Sequence, residues 1–553
     1  MTLGTDLDAA LRSLASGDVT RALPQLEALA LRDPENPVVH NALGSAFAAL
    51  GRWEPAAASF ARALALRPGY VLACTNLGSV RLEQGEIAAA RALFDAAIAE
   101  GSAPAQAYVG LARTLCLLGQ FAQADATFER ALTRHGAHLG LHSQRCYAQL
   151  LDPNASARSV IDVHCAYAGS LGAGPAGVRF DNDRSGQRKL VLGYVSADFR
   201  EHSVASFLEP ILAAHDPAAV TLHLYSDAQR EDATSARLFG RAACVRRSAQ
   251  LTHAQLSAQI RADAVDVLID LAGHMQPNRL PMFFARPAPV LLTYLGYPGS
   301  TGLAAFDGRI SDAWADPSDD PDLAGPEPVL RVPGGCYAYQ APSDVPDVAE
   351  RVSAADGGVT FGCFNDALKL NGAVFALWAQ ILTRTPGSRL LLKARLLASH
   401  DVAQRIRETL RAAGVDPSRL ELLASVASRN EHLASYARID IALDPFPYAG
   451  ATTSCEALYM GVPVVTLAGD RHASRLGASL LCSAGLEEFV THGPEAYRDR
   501  AVQLASDEPR RAALRRSLRS QLAASALCDG RRVAGFIESS ARTLFARWAA
   551  AGE

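Results

Sequence analysis

The chain has 553 residues, of which 49% are hydrophobic and 20% charged, with a formal net charge of −4. That length holds about three or four domains, and the near-balanced charge argues against a nucleic-acid binder working through bulk basicity. The ten cysteines, scattered from Cys74 to Cys528 without a C-x-x-C pair, fit neither a disulfide framework nor a zinc motif and point to a reduced cytosol. No apolar run reaches the ~18–20 residues of a membrane span. The first residues lack the basic and apolar regions of a signal peptide. A cytoplasmic protein without membrane partners is therefore expected.

The first 170 residues carry a repeat. Gly17, Gly51, Gly85 and Gly119 recur every 34 residues. Ala22, Ala56, Ala90 and Ala124 follow each glycine by five, and Leu26, Phe60, Phe94 and Phe128 by nine. This period and residue set is the tetratricopeptide signature. Glycine ends the first helix of each pair, alanine lets the paired helices approach, and the large apolar residue fills the gap. Such an array offers a concave face to an extended peptide, or only extends the protein. Residues 139–169 continue the helical pattern without the glycine and are expected to cap the array within a unit of 1–170. A Gly- and charge-rich linker follows at 171–188, whose Asp181 and Asp183 read as a solvated turn.

A first α/β half is expected at 189–345. Strand 190–195 leads to His202 and a helix from about residue 203. Open α/β sheets place their chemistry just past the C-terminal ends of strands. There His202 either relays a proton or caps the helix. Further strands are expected at 220–225, 265–271 and 290–295. His274 follows the second of these, where it contacts an acceptor or caps the strand. The turn around Leu295, Gly296 and Pro298 lets backbone approach a ligand closely. The acidic stretch 316–322 reads as a solvated loop without a metal site.

A second half is expected at 346–553. Strand 359–364 is followed by Asp366 and Lys369, and strands at 389–393 and 420–423 come next. An apolar run then ends at Asp444. Gly450, Ala451, Thr452 and Thr453 open a helix, and 463–467 form another strand. Strand, glycine turn, helix, strand is the local form of a doubly wound unit. Free N–H groups at that helix start make an anion site, although Thr is also an ordinary cap. Arg471, His472 and Arg475 either add charge there or pair at the surface. The last helix, about 531–549, is expected to pack back on the first half.

The stretch FPYAGATTSCEALYMGVPVVTLAG (446–469) closely resembles the donor-binding segment of glycosyltransferase family 41, the protein O-GlcNAc transferases and SPINDLY proteins. GYVSADFREHSV (193–204), RPAPVLLTYLGYPGSTG (286–302) and FGCFNDALKLN (361–371) are similar to further family motifs, with Tyr294 in place of the usual Trp. The resemblance implies a tetratricopeptide superhelix followed by two Rossmann-like halves of a GT-B glycosyltransferase. It places His202 at the active site and Lys369 at the diphosphate. It assigns Leu295, Gly296, Pro298, Asp366, Ala427, Arg429, His432, Gly450, Thr452, Thr453 and Glu456 to the donor pocket, with His432 on the base and Glu456 on the ribose. Asp366 and Ala451 depart from the residues of O-GlcNAc transferases. The family's asparagine ladder retains only Asn76, with Ala42 and Gly110 at the equivalent places.

The implied activity is transfer of a sugar from a nucleotide-sugar to Ser or Thr of an acceptor protein held by the repeats. It inverts the anomeric carbon and uses no cofactor or metal. The donor is UDP-GlcNAc or, from the SPINDLY-like wording, GDP-fucose. A non-catalytic adaptor and a nucleotide-sugar 2-epimerase-like enzyme are the alternatives; the second would leave the repeats idle.

Overall fold

Glycine punctuation shapes the helical front. In this computed structural model, which describes residues 3–174, 177–318, 320–342, 344–349, 358–426 and 428–551, eight helices form four antiparallel pairs. They are α1 (Leu3–Ala15), α2 (Val19–Arg32), α3 (Pro37–Ala49), α4 (Trp53–Leu66), α5 (Val71–Gln84), α6 (Ile87–Ala99), α7 (Ala105–Leu117) and α8 (Phe121–His135). Gly17, Gly51, Gly85 and Gly119 sit at φ of 81°, 71°, 79° and 74°, which ends the first helix of each pair at little steric cost. Asp18 and Asn36 cap the helices that follow them. Phe94 is fully buried against α5 and α7: a Cβ on Gly78 or Gly110 would lie 2.8 or 2.2 Å from its ring. The period thus records one interlocking contact repeated along the array.

This compact unit comprises 1–136 with 394–409 and 422–424. Within it Arg395 pairs with Glu83 at 2.9 Å, Asp401 accepts from the backbone N–H of Ala88 at 3.1 Å, and Ser399 Oγ donates to the Gly85 carbonyl.

The second unit comprises 137–393, 410–421 and 425–553. Helices α9 (Leu139–Leu151) and α10 (Ala157–Ser170), expected to close the array, belong here. Cys146 of α9 and Tyr167 of α10 are fully buried in one core with Val195, Leu268 and Leu291. Their apolar faces were legible, but the partner of those faces was not.

Next come β1 (Leu190–Ser196), α11 (Ser203–Ala214), β2 (Val220–Ser226), β3 (Cys244–Arg247), β4 (Val267–Asp270), β5 (Val290–Thr293), β6 (Gly308–Ser311) and β7 (Val329–Arg331). The second half contains β8 (Thr360–Cys363), β9 (Arg389–Lys393), β10 (Leu420–Leu423), β11 (Ile441–Leu443), β12 (Val464–Leu467) and β13 (Val490–Thr491). The sheet orders are β3-β2-β1-β4-β5-β6-β7 and β10-β9-β8-β11-β12-β13. Both follow the Rossmann order, so both reverse direction beside their first strand, where doubly wound sheets open a crevice.

The supposed linker is pinned. Arg188 grips the buried Asp266 at 2.6 Å and Asn182 bonds the same carboxylate at 2.8 Å. The last helix, Gly530–Ala550, lies on the first half: Glu538 meets His215 Nδ1 at 2.7 Å and the N–H of Asp216 at 2.9 Å. Within 316–322, Asp316 departs from the solvated loop expected there, while Pro317 and Asp320 are exposed. Asp316 is buried and bonds Arg309 and His472, each at 2.7 Å. An arginine and a histidine brought by β6 and by the segment after β12 supply what burying that carboxylate requires.

Candidate active site

The two crevices open into one cleft of about 390 Å³, with His202 and Ser206 of the first half facing Lys393, Arg429, His432, Thr452 and Glu456 of the second. The polarity of this wall suits a charged, hydroxyl-rich ligand.

His202 both caps a helix and lines the cleft. Its Nδ1 lies 3.3 Å from the N–H of Val204, at the start of α11, and 3.4 Å from Asp198 Oδ2. These partners favour opposite tautomers. With Nδ1 accepting from Val204, Nε2 carries the hydrogen and donates. With Nδ1–H turned to Asp198, Nε2 becomes a proton acceptor. Burial holds the imidazole below its ordinary pKa, opposed by Asp198 and assisted by Arg200, so the ring is neutral at pH 7.

On the facing wall Lys393, His432 and Glu456 form a chain. Lys393 Nζ contacts His432 Nδ1, and His432 Nε2 lies 3.0 Å from Glu456 Oε2. An ammonium donor to Nδ1 leaves the hydrogen on Nε2, directed at the carboxylate. Burial lowers the pKa of Lys393 and Glu456 opposes that shift. The cation also lies 5.4 Å from the Phe364 ring centroid.

The helix Thr452–Tyr459 begins at Ala451 with no side-chain cap. Thr452 Oγ1 is buried without a hydrogen-bond partner, on the cleft wall. A buried hydroxyl left unbonded beside a helix start is an open valence for an anion. Thr453 is committed elsewhere: its hydroxyl bonds Asn365 Oδ1 at 3.1 Å. Lys369 Nζ donates to the Ala449 carbonyl at 2.8 Å and lies 4.0 Å over the Tyr448 ring. Its pKa is lowered by burial, against the pull of Asp444 and Asp366. The Gly450 N–H donates to Asp444 at 2.7 Å, and burial raises that carboxyl to about 6.

The profile described as Glycosyl transferase family 41 matches residues 175–322 and 345–536, and that of the tetratricopeptide repeat matches 7–71 and 75–138. The chain belongs to glycosyl transferase family 41. It is 39% identical over 373 residues to a Petunia hybrida protein named probable UDP-N-acetylglucosamine--peptide N-acetylglucosaminyltransferase SPINDLY, covering 67% of this chain and 40% of that one. The Arabidopsis thaliana protein of the same name is 36% identical over 378 residues, covering 68% and 41%. The chain thus spans about two fifths of the length of these curated relatives. A mutant O-GlcNAc transferase of Thermobaculum terrenum matches in structure with a TM-score of 0.80 and 31% identity over 100% of both chains.

In this family 41 chain the cleft gathers His202, Arg429, His432, Thr452 and Glu456. Arg429 reaches Ser206 Oγ at 3.5 Å. Lys369, Gly450 and Thr453 are absent from the cleft's lining; Lys369 and Thr453 meet at Asn365, and Lys369 also reaches the Ala449 carbonyl. Asp366 is exposed and caps the short turn that carries Lys369. Leu295, Gly296 and Pro298 are absent from the cleft's lining. Leu295 takes φ 70°, and a Cβ on Gly296 would fall 1.8 Å from the Leu271 carbonyl, so this turn is held by close backbone packing. Ala427 lies outside the described residues. Asn76 bonds Asn41 Oδ1 at 3.1 Å, half-buried between neighbouring repeats.

His274 neither lines the cleft nor meets water. It is 0% exposed, with Nδ1 on Ser143 Oγ at 3.1 Å and Nε2 on the Thr301 carbonyl at 2.9 Å. His472 is buried, and Arg475 donates to the carbonyls of Trp314 and Gly469. Lys393 and Asn365 went unrecognised in the sequence. Lys393 has one signal, a charge closing an apolar strand at its C-terminal end; Asn365 follows its own strand in the same way.

Proposed function

We propose that the protein transfers a sugar from a nucleoside-diphosphate sugar to Ser or Thr hydroxyls of an acceptor protein, with inversion. The observation that carries the reading is the cleft at the two switch points. One wall offers His202 to a hydroxyl, and the other offers the unbonded Thr452 hydroxyl and the Glu456–His432–Lys393 chain to a nucleotide. Family membership and the names of the relatives support it.

In this reading Glu456 and His432 hold the nucleoside, and the helix start at Thr452 holds the diphosphate. Lys369 supplies positive charge as the nucleotide leaves. The acceptor hydroxyl loses its proton to His202 in the tautomer with Nδ1–H on Asp198, or to a phosphate oxygen. No metal step is invoked. The repeats hold the acceptor protein. The donor is UDP-GlcNAc, following the relatives' names, or GDP-fucose, following the SPINDLY-like wording of 446–469.

Thermal stabilisation of the full chain with UDP-GlcNAc and GDP-fucose in parallel tests this proposal, because binding to the folded state raises stability by mass action. A shift with one donor, followed by transfer to an acceptor that persists in EDTA, is expected. A folded protein stabilised by neither donor overturns it.

A further inference from the structure

We infer that His223, Cys244 and Asp263 form a binding site for a thiophilic divalent cation of the zinc class, separate from the sugar-transfer cleft. Each residue offers one ligand atom, and these atoms lie within 4.8 Å of one another. The site arises from the sheet's register. His223 of β2 and Cys244 of edge strand β3 are direct partners in the parallel ladder. Asp263 ends the helix His253–Ala262 that packs beside them. No sequence spacing would disclose this set.

One imidazole nitrogen, His223 Nδ1, is buried with no hydrogen-bond partner. A buried polar atom left unbonded needs an explanation, and an ion between imidazole, thiolate and carboxylate provides one. Imidazole, thiolate and carboxylate are the ligand types zinc takes. In a tetrahedral site with bonds of about 2.0–2.3 Å, ligand atoms stand roughly 3.4–3.8 Å apart. With the ligand atoms already within 4.8 Å of one another, the site needs to close by at most about 1.4 Å. A fourth position remains for water. Cys244 would release its proton to solvent on binding.

A second trio among the described residues makes the contrast. Cys146, His164 and His274 are fully buried at similar spacing. Both ring nitrogens of each histidine are already bonded: His164 to the Val160 carbonyl and Tyr297 hydroxyl, His274 to Ser143 and the Thr301 carbonyl. An ion there would take both histidines from existing partners, whereas His223 Nδ1 has none to give up, and only Asp263 would exchange hydrogen bonds, those from Arg246, Tyr225 and Gln259.

Arg246 is the charged competitor for Asp263, beside the Tyr225 hydroxyl at 2.9 Å and Gln259 Nε2 at 3.0 Å. It binds Asp263 through Nη2 at 2.6 Å and Nε at 3.1 Å, while remaining 44% exposed, so it can swing aside. Metal and guanidinium share one carboxylate, and removing the guanidinium should strengthen metal binding.

The experiment is Co²⁺ titration of the full chain, purified without chelator, followed by absorbance and by displacement with Zn²⁺. Stoichiometric uptake with a thiolate-to-cobalt charge-transfer band in the near ultraviolet is expected. Cys244→Ser should abolish the band while leaving the circular dichroism unchanged. His223→Gln should weaken binding at least about ten-fold, and Arg246→Met should tighten it. The proposal is overturned by absence of the band in the unaltered chain, by a band that survives Cys244→Ser, by unchanged affinity in His223→Gln, or by weaker binding in Arg246→Met. The readout is independent of transferase activity, so this proposal and the one above fail separately.

Discussion

Replacing Glu456 by alanine probes the donor pocket most directly. The residue is 6% exposed, and Oε2 is occupied by His432 at 3.0 Å. Oε1 carries no hydrogen bond among the described residues, so it is the acceptor offered to a ligand. A charge-assisted bond to it contributes about 1.5–3 kcal/mol, and its loss weakens donor binding about 10- to 150-fold. At a donor concentration of about 100 Kd the unaltered protein gains about 2.7 kcal/mol. After a hundred-fold loss the same concentration only matches Kd, and the gain falls to about 0.4 kcal/mol. The unit that holds the cleft has roughly 400 residues, and its unfolding entropy is then near 0.8 kcal/mol/K. The ligand-induced rise in Tm should therefore shrink from about 3 °C to about 0.5 °C. Differential scanning fluorimetry reads this, each protein being compared with its own ligand-free melt so that any intrinsic destabilisation cancels. Glu456→Gln keeps the shape and loses the charge, and should fall between the two. An undiminished shift in Glu456→Ala would refute the assignment.

Lys369→Met should leave the donor-induced shift nearly intact and lower kcat by about 10²–10³-fold; single-turnover transfer assays distinguish this from a binding defect. His202→Ala should cost about 10²–10⁴-fold in kcat. Because burial lowers the pKa of His202, kcat/KM should hold at pH 7 and fall as the pH drops through that lowered value, and the variant should lack this limb. Asp198→Ala removes the acceptor that favours Nδ1–H and should lower kcat with little change in donor affinity; a normal rate would remove Asp198 from the account of the His202 tautomer. For stability, Asp444 has a folded pKa raised to about 6 by burial, above its unfolded value of about 3.9. A raised value means its contribution is complete below the unfolded pKa and disappears as pH rises through about 6, by up to about 3 kcal/mol. Urea melts at pH 4 and pH 7 should show that Asp444→Asn narrows the gap between the two; an identical gap in both proteins would remove Asp444 from the account.

Local chemistry was readable because it is written in neighbouring residues. The helix-ending glycines, each at positive φ, announced the four helical pairs. The run from Asp444 to the Thr452–Tyr459 helix announced a strand, a turn and a helix start. His202 was legible for the same reason, since it follows its strand by a few residues. In each case the sequence step and the spatial step coincide.

What lay beyond the sequence depends on which distant elements face one another. Lys393 joins the cleft because β9 lies beside β8, which brings its tip to His432 and Glu456. Asp316 and His472 form a buried pair across 156 residues of chain, although Asp316 read as solvated and His472 as added charge at the helix start or a surface partner. His274 read as a strand-end residue that contacts an acceptor or caps the strand, yet α9 and α10 close over it and bury its ring. His223 and Cys244 meet only through the β2–β3 register. By itself the sequence determined the helical pairs and the more apolar strands in their order, though not the short strands β3, β6, β7 and β13, because backbone propensity and periodicity act over a few residues. The tertiary structure alone decided which polar groups were desolvated and what they were paired with. Those choices depend on long-range packing, where each buried charge must find a partner wherever the fold brings one.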